Sequence, residues 1–321
     1  MSRLPVAAGL VLGVLADELL GDPRRGHPVA GFGAVAATLE RVLYRDSRPA
    51  GVTYALACVL PVTAAAALAE RRTVKHPAIR ALAVAAATWT VIGGRSLRRI
   101  GAELAMALDR DDLGAGRSLI PSLCGRDPRQ LDSAGLARAT VESIAENTSD
   151  SVTAPLFWGA VAGLPGLLGY RAVNTLDAMV GHRSLRYARF GTAAARLDDL
   201  ANLIPARLTA ALMVALARQV GGSPAESYRA WRSDGAAHPS PNAGQCEAAA
   251  AGALGVTLGG LTSYPSHTEH RPILGAGRAP QPSDIARAAR LSHLTQYASL
   301  AVLLAAMHLQ ELARARNGEP A

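Results

Sequence analysis

The stretch from residue 51 to 69 constrains the fold more than any other, because it contains no charged side chain. A membrane-spanning α-helix needs about 20 mainly apolar residues to cross the hydrocarbon core of a bilayer. The stretch therefore predicts a transmembrane helix, in which Pro61 is a tolerated kink. Arg71, Arg72 and Lys75 follow it and indicate that the helix ends at a membrane boundary.

Other segments are also mainly apolar, with few charged residues, and alternate with polar loops. They are residues 4–20, 77–94, 197–217 and 297–309. Residues 154–170 are also apolar, but Pro155, Pro165 and several glycines interrupt them. Such a pattern predicts a broken or re-entrant helix, which is tolerated at membrane depth where the backbone lines a polar cavity. The fold class that follows is all-α: a polytopic membrane bundle of about four to six spanning helices.

The polar segments between these runs allow further predictions. Asp132 or Ser133 is a suitable N-cap for a helix that continues to Pro155. Residues 247–262 are rich in Ala and Gly and predict a closely packed helix, and the segment after it predicts an ordered loop. Arginines occur in every candidate loop, so the distribution of positive charge does not fix the orientation in the membrane. We expect one membrane-embedded domain over residues 1–321.

The composition excludes several classes of protein. Of the 321 residues, 50% are hydrophobic and 18% are charged, against roughly 25% charged in soluble domains. The net charge of +8 comes almost entirely from arginine; it reflects either genome composition or contact with anionic lipid or a polyanionic substrate. The sequence contains no basic stripe with interleaved aromatic residues, which is the pattern that would indicate nucleic-acid binding. Three widely spaced cysteines give no disulfide framework, and Asp17 and Glu18 in the first apolar run favour a retained helix over a cleaved signal peptide.

Three clusters of carboxylates and amides flank the broken apolar segment. They are Glu142, Glu146, Asn147 and Asp150; Asn174 and Asp177; and Asp198, Asp199 and Asn202. Helical spacing places the carboxylates of Glu142, Glu146 and Asp150 on one face. Charged groups beside membrane segments are costly and tend to be functional. They can bind Mg²⁺, orient an amine or accept its proton. The alternative is that they only join helices by hydrogen bonds and by salt bridges to Arg171, Arg196 and Arg207.

Two histidines are candidate site residues, and three motifs that would indicate a particular chemistry are absent. His27 and His238 each precede a proline and are candidates for phosphate contact or acid–base work, or for a purely structural role. No H-E-x-x-H motif supports a zinc site, and no phosphate-binding P-loop motif is present. The G-x-S-x-G motif of hydrolases is also absent.

Long blocks of this sequence resemble the signature segments of the CobD/CbiB family, which are integral-membrane adenosylcobinamide-phosphate synthases. The blocks are LLGDPRRGHPV, ESIAENTSDSVTAPLFW, YRAVNTLDAMVGHRSLRYARFG, ARLDDLANLIPARLTA and HPSPNAGQCEAAAAGALGV. The resemblance covers essentially the whole chain. It implies a multi-pass protein of the cell membrane that forms an amide bond in cobalamin biosynthesis. The free propionate carboxyl of adenosylcobyric acid is joined to aminopropanol or its phosphate, with ATP and Mg²⁺ taking part.

Chemical reasoning about this reaction gives each candidate residue a role. A carboxylate becomes reactive toward an amine only after activation, which calls for a metal and for cations that hold the developing charge. The expected catalytic residues are Glu142, Glu146, Asp150, Asp177, His27 and His238. The expected substrate- or phosphate-binding residues are Asn147, Asn174, Arg183, Arg186, Arg189, Arg207 and Asn242. The expected Mg²⁺ ligands are Asp198, Asp199, Asn202 and Asp150.

Two other functions share part of this pattern. A Mg²⁺-dependent membrane transferase acting on a lipid diphosphate or a CDP-alcohol also carries acidic helices, but its D-x-x-x-D spacing is absent. A transporter for a corrinoid or another polyanion would also fit a broken helix beside charged residues. The expected partners are the small-molecule substrates and the lipid bilayer, with a homo-oligomer or contact with later corrinoid-assembly enzymes as a further expectation.

Overall fold

The computed structural model describes residues 3–23, 26–182, 184–264 and 268–317. The predicted Arg183 lies outside these residues. The α-helices are α1 (Leu4–Leu20), α2 (Pro28–Leu43), α3 (Arg48–Thr73), α4 (Pro77–Val91), α5 (Gly94–Asp109), α6 (Leu113–Leu119), α7 (Ser133–Thr148), α8 (Ala154–Leu176), α9 (Thr192–Leu216), α10 (Pro224–Asp234), α11 (Ala243–Leu254) and α12 (Pro282–Arg316). Strands β1 (Leu258–Ser263) and β2 (Thr268–Leu274) form an antiparallel pair between α11 and α12.

Four helical stretches are long and apolar enough to cross a membrane. They are Arg48–Thr73, Pro77–Asp109, Ser133–Gly181 and Thr192–Val220. On α3, the side chains of Leu56, Leu60 and Leu68 are 46%, 57% and 50% exposed, as expected for a helix that faces lipid. These features confirm the predicted all-α membrane bundle, to which the structure adds one small β-hairpin.

The chain forms two compact units, each assembled from separate segments. Unit 1 comprises Met1–Gly93, Ala154–Asn202 and Leu300–Ala321. Unit 2 comprises Gly94–Thr153 and Leu203–Ser299. The single domain expected over residues 1–321 stays a prediction.

In unit 1, helix α8 folds back on itself at Gly163. This residue has φ of 62° and ψ of −140°, a conformation that side chains other than glycine rarely adopt. A Cβ atom at Gly166 would overlap the carbonyl oxygen of Trp158, although eight residues of straight helix would separate them by about 12 Å. The break occurs within the segment that the sequence predicts to be broken or re-entrant.

Glu70 of α3 stabilises this break. One of its carboxylate oxygens accepts the backbone N–H of Leu164 at 2.9 Å, which is the kind of group a helix start leaves without a partner. The other oxygen accepts the guanidinium of Arg80 from α4. Both side chains are largely buried, 14% and 11% exposed. An ion pair between two helices therefore anchors the second half of α8.

In unit 2, α7 and α11 pack against each other and carry three acidic side chains of the candidate site: Glu142, Glu146 and Glu247. Asp132 begins α7 as predicted, because its carboxylate accepts the Gly135 N–H at 2.8 Å. Every residue of α11 from Ala243 to Leu254 is buried except Gln245. This helix ends at Leu254 rather than at residue 262 as predicted. Gly255 adopts a left-handed conformation, with φ of 66° and ψ of 38°, and terminates it before β1.

Candidate active site

Unit 2 contains a cluster of buried and half-buried charged side chains that come from five parts of the chain. We call it the acid–arginine cluster; its members are Arg126, Glu142, Glu146, His238, Glu247 and Arg271. The loop before α7 supplies Arg126, and α7 supplies the two glutamates one helical turn apart. The loop before α11 supplies His238, α11 supplies Glu247, and β2 supplies Arg271.

Arg126 and Glu142 form the most deeply buried ion pair of the cluster. Their side chains are 5% and 3% exposed. The second carboxylate oxygen of Glu142 accepts the backbone N–H of Gly259 in β1 at 2.7 Å. Glu142 is thus fully engaged. By contrast, Nη1 of Arg126 is buried and has no hydrogen-bond partner among the described residues.

His238 is held by its own loop with one ring nitrogen directed at the cluster. The Ser240 N–H donates to Nδ1 at 3.0 Å, and the Ser240 carbonyl oxygen lies 3.3 Å from the same nitrogen. The Nε2 atom lies 3.8 Å from Glu247 Oε1 and 3.3 Å from Arg271 Nη1. Burial and then the positive charge of Arg271 lower the pKa of His238, so the neutral imidazole is favoured at physiological pH.

Glu247 is the least compensated carboxylate of the cluster. Its side chain is 1% exposed, within a helix otherwise composed of small, apolar and uncharged residues. Neither of its carboxylate oxygens has a hydrogen-bond partner among the residues that the structure describes. Burial, followed by the negative charges of Glu142 and Glu146, raises its pKa well above the usual range for a glutamic acid.

Arg271 lies at the more accessible side of the cluster. Its guanidinium donates to the Tyr264 hydroxyl at 2.5 Å and to Glu269 Oε1 at 3.0 Å, and its side chain is 21% exposed. These two contacts fix the guanidinium plane. Arg271 can therefore present its remaining N–H groups in a defined direction.

Four other predicted residues belong to unit 2: Asn147, Asp150, Arg207 and Asn242. Arg207 Nη1 donates to Asn242 Oδ1 at 3.3 Å, and Asn242 immediately precedes α11. Asn147 donates to the Ser143 carbonyl at 3.0 Å. The charge of Asp150 contributes, after burial, to a raised pKa of Cys246 in α11, which places Asp150 near that thiol.

The remaining predicted polar residues form a separate network in unit 1. Asp198 accepts the Asn174 amide at 3.2 Å on one oxygen and the Asn202 amide at 3.0 Å on the other. The Tyr170 hydroxyl donates to Asn202 Oδ1 at 2.9 Å. Two of the four predicted metal ligands, Asp198 and Asn202, thus bond to each other. Asp199 and Asp177 belong to the same unit and have interactions of their own.

The other predicted basic and histidine residues of unit 1 have local contacts. Arg186 donates to Glu40 Oε1 at 3.0 Å and lies 4.1 Å from the centre of the Tyr44 ring. Arg189 is exposed. His27 precedes α2, and its Nδ1 accepts the Val29 N–H at 3.2 Å. Their roles in phosphate contact or catalysis stay predictions.

Three members of the cluster are absent from the sequence predictions: Arg126, Glu247 and Arg271. Each had a local signal. Glu247 is a single carboxylate in an Ala-rich helix, where an unpaired charge is costly to bury. Arg126 stands in a Gly-Arg-Asp-Pro turn before α7, and Arg271 precedes a proline in β2. Glu142, Glu146 and His238 were predicted, and the structure brings these three together with the missed ones.

The described residues contain no group of three or more His, Cys, Asp or Glu side chains placed to hold a metal ion. The predicted set of Asp198, Asp199, Asn202 and Asp150 is also divided, since the first three belong to unit 1 and Asp150 belongs to unit 2. The Mg²⁺ site stays a prediction.

Comparison with known proteins gives consistent results. The family model described as CobD/Cbib protein matches residues 10–292. A cobalamin biosynthesis protein CobD from Mycobacterium tuberculosis is 53% identical over 300 residues, which cover 93% of this chain and 95% of the relative. Proteins of the same name from Rhodobacter capsulatus and from Chromobacterium violaceum are 45% and 41% identical. The Rhodobacter match covers 88% of this chain and 91% of the relative, and the Chromobacterium match covers 92% and 95%. No solved structure matches.

The fold and the cluster define a helical membrane protein with a buried group of acidic and basic side chains. The extent and identity of the matches show which one: the chain belongs to the CobD/CbiB family.

Proposed function

We propose that this chain acts in cobalamin biosynthesis as a ligase that forms an amide bond. It joins the free propionate carboxyl of adenosylcobyric acid to the amino group of aminopropanol or of its phosphate. Support for the biosynthetic role comes from relatives of 41% to 53% identity that are named cobalamin biosynthesis proteins. Support for the chemistry comes from the acid–arginine cluster.

One observation carries the proposal: a buried donor atom and a buried carboxylate in this cluster lack hydrogen-bond partners among the described residues. They are Nη1 of Arg126 and the carboxylate of Glu247. Leaving such groups unpaired costs free energy, which a bound ligand with complementary groups would offset. An anionic acyl group complements the guanidinium donor, and an ammonium group complements the carboxylate. These are the two reactants of amide formation.

The cluster also contains the groups that this reaction needs. Arginine guanidinium groups bind carboxylate and phosphate oxygens in two-pronged fashion, which suits Arg126 and Arg271. The candidate proton acceptors are His238, whose lowered pKa favours the neutral imidazole, and Glu247, whose pKa is raised. A nucleoside triphosphate, when bound, supplies the activation that makes a carboxyl reactive. The part played by Mg²⁺ stays a prediction, since the described residues contain no group of side chains placed to hold a metal ion.

The proposal is tested with membrane vesicles that contain the chain. They are incubated with adenosylcobyric acid, aminopropanol phosphate and Mg-ATP, and the corrinoids are analysed by mass spectrometry. A product with the mass of acid plus amine minus water, dependent on ATP and on the chain, supports the ligase. An unchanged corrinoid that accumulates inside the vesicles supports a transporter instead. A new lipid-linked product supports a membrane transferase, and either result overturns the proposal.

A further inference from the structure

Glu247 is distinguished from the other carboxylates of the cluster by what surrounds it. Glu142 has both oxygens engaged, by Arg126 and by the Gly259 N–H. Glu247 is as deeply buried, yet both of its oxygens lack hydrogen-bond partners among the described residues. Nε2 of His238 lies 3.8 Å from Oε1, which is beyond hydrogen-bond distance. No hydrogen bond in the described part of the chain offsets the cost of burying this carboxylate.

The charge balance of the cluster indicates which kind of group would compensate Glu247. Three carboxylates, Glu142, Glu146 and Glu247, act on one another electrostatically, and they face two guanidinium groups, Arg126 and Arg271. With His238 neutral, the six members of the cluster sum to one negative charge in excess, and Glu269, which accepts from Arg271 at the accessible side, adds a further carboxylate. A buried excess charge is removed either by a proton or by a bound cation.

The placement of the side chains favours an ammonium group over a metal ion, because the described residues contain no group of three or more His, Cys, Asp or Glu side chains placed to hold a metal ion. An ammonium group carries one charge and three N–H donors. It can satisfy both oxygens of Glu247 at once. Nε2 of His238 lies 3.8 Å from Glu247 Oε1, so the loop before α11 places this imidazole beside the carboxylate.

We propose that Glu247 binds the ammonium group of the amine substrate and accepts its proton. This role rests on the proposed ligase function and adds a catalytic residue to it. In the step, one N–H proton of the ammonium moves to the Glu247 carboxylate and leaves a neutral amine with a free electron pair. That pair forms the C–N bond to the activated acyl carbon. The acyl C–O bond breaks, and the departing phosphate takes the second N–H proton.

The first test uses Glu247→Gln, which keeps the size of the side chain and removes its charge. The KM for aminopropanol phosphate and the KM for adenosylcobyric acid are measured separately. We expect the KM for the amine to rise about 10- to 100-fold, since a hydrogen bond to a charged group is lost, and the KM for the acid to change little. We also expect kcat to fall. Glu247→Asp, which keeps the charge, restores part of the loss. The matched control is Glu226→Gln, on the exposed face of α10, which leaves both constants unchanged.

A second measurement remains informative if Glu247→Gln does not fold. The melting temperature of the wild-type protein is followed with 1-amino-2-propanol, with its phosphate, with 1,2-propanediol, and with both amines in the presence of Mg²⁺. Stabilisation by both amines and not by the diol supports an ammonium site. Stabilisation by the diol to the same degree overturns it, and so does loss of the amine effect when Mg²⁺ is present, because a metal ion would then compete for the same carboxylate.

The two proposals fail in different ways. If the wild-type chain makes no amide product, the ligase function is wrong. If the wild type makes the product and Glu247→Gln keeps the wild-type KM for the amine and kcat, the ligase function stands and the role of Glu247 is wrong.

Discussion

Glu142 receives the guanidinium of Arg126 on one carboxylate oxygen, in an ion pair whose side chains are 5% and 3% exposed. Such a pair is expensive to desolvate, and its attraction offsets that cost only when the remaining polar atoms are also bonded. Glu142 meets this condition through the Gly259 N–H, whereas Arg126 keeps one nitrogen without a partner among the described residues. The pair therefore joins the loop before α7 to β1 and still presents a donor for a ligand.

Breaking this pair from one side is predicted to destabilise unit 2 strongly. Arg126→Ala leaves Glu142 as a buried charge without its counter-ion, which typically costs about 3–5 kcal/mol. We expect a lower melting temperature in detergent and loss of ligase activity. The control is Arg129→Ala, because that side chain is 78% exposed and belongs to the same loop. An Arg126→Ala protein as stable as Arg129→Ala would contradict the buried-pair interpretation.

The break in α8 predicts a second effect, in unit 1. Alanine at position 163 would have to adopt a backbone conformation that costs about 1–3 kcal/mol for residues other than glycine, and its Cβ would overlap the Glu70 carboxylate. We expect Gly163→Ala to lower the melting temperature. Gly31→Ala is the matched control: α2 offers open space there, and the change is worth at most about 1 kcal/mol in the stabilising direction. Equal melting temperatures for the two variants would argue against the observed turn.

Stability as a function of pH gives a test of Glu247 that does not depend on activity. Burial and the nearby carboxylates raise its pKa well above 4.5, so the folded state holds the proton more tightly than the unfolded state. Its contribution to stability is fully present below about pH 4.5 and is lost as the pH rises through the folded-state pKa. We therefore expect Glu247→Gln to become progressively more stable than the wild type as the pH rises.

The comparison between the two proteins largely cancels the contribution of His238. Its lowered pKa has the opposite effect, because stability is lost as the pH falls below about 6.5 in both proteins. Melting temperatures are measured from pH 4.5 to 9 on both. A difference that stays constant or shrinks with rising pH would contradict the uncompensated burial of Glu247.

The polar network of unit 1 allows a further prediction. Asp198→Asn replaces one acceptor oxygen by a donor that faces the amide groups of Asn174 and Asn202, so one hydrogen bond is lost at a cost of about 1–3 kcal/mol. We expect this variant, together with Asp150→Asn and Asp177→Asn, to lower ligase activity. If the purified, folded variants all keep full activity, these carboxylates do not belong to the active site and have only a structural role.

The comparison of sequence and structure shows which features were predictable. Local patterns with a direct physical cause were predicted well. The uncharged run within α3, the N-cap at Asp132 and the prolines and glycines of α8 each specify their own structure. The i, i+4 spacing of Glu142 and Glu146 also predicted a shared face.

Features that depend on distant parts of the chain were not predictable in this way. The electrostatic environment of Glu247 is set by the glutamates of α7 and by Arg271, which are distant from it in sequence. The strands β1 and β2 form because each pairs with the other, and their sequence alone predicted the end of a helix and a loop. The three predicted carboxylate–amide clusters looked equivalent in sequence, yet they belong to two different units.

The most direct test of the central claim is the mass of the corrinoid product formed by the chain and its variants. Wild-type protein and Glu226→Gln are predicted to convert adenosylcobyric acid, aminopropanol phosphate and ATP to the amide at equal rates. Glu247→Gln and Arg126→Ala are predicted to lose most of this activity. Absence of the amide with the wild-type protein, or full activity in both cluster variants, would contradict the account.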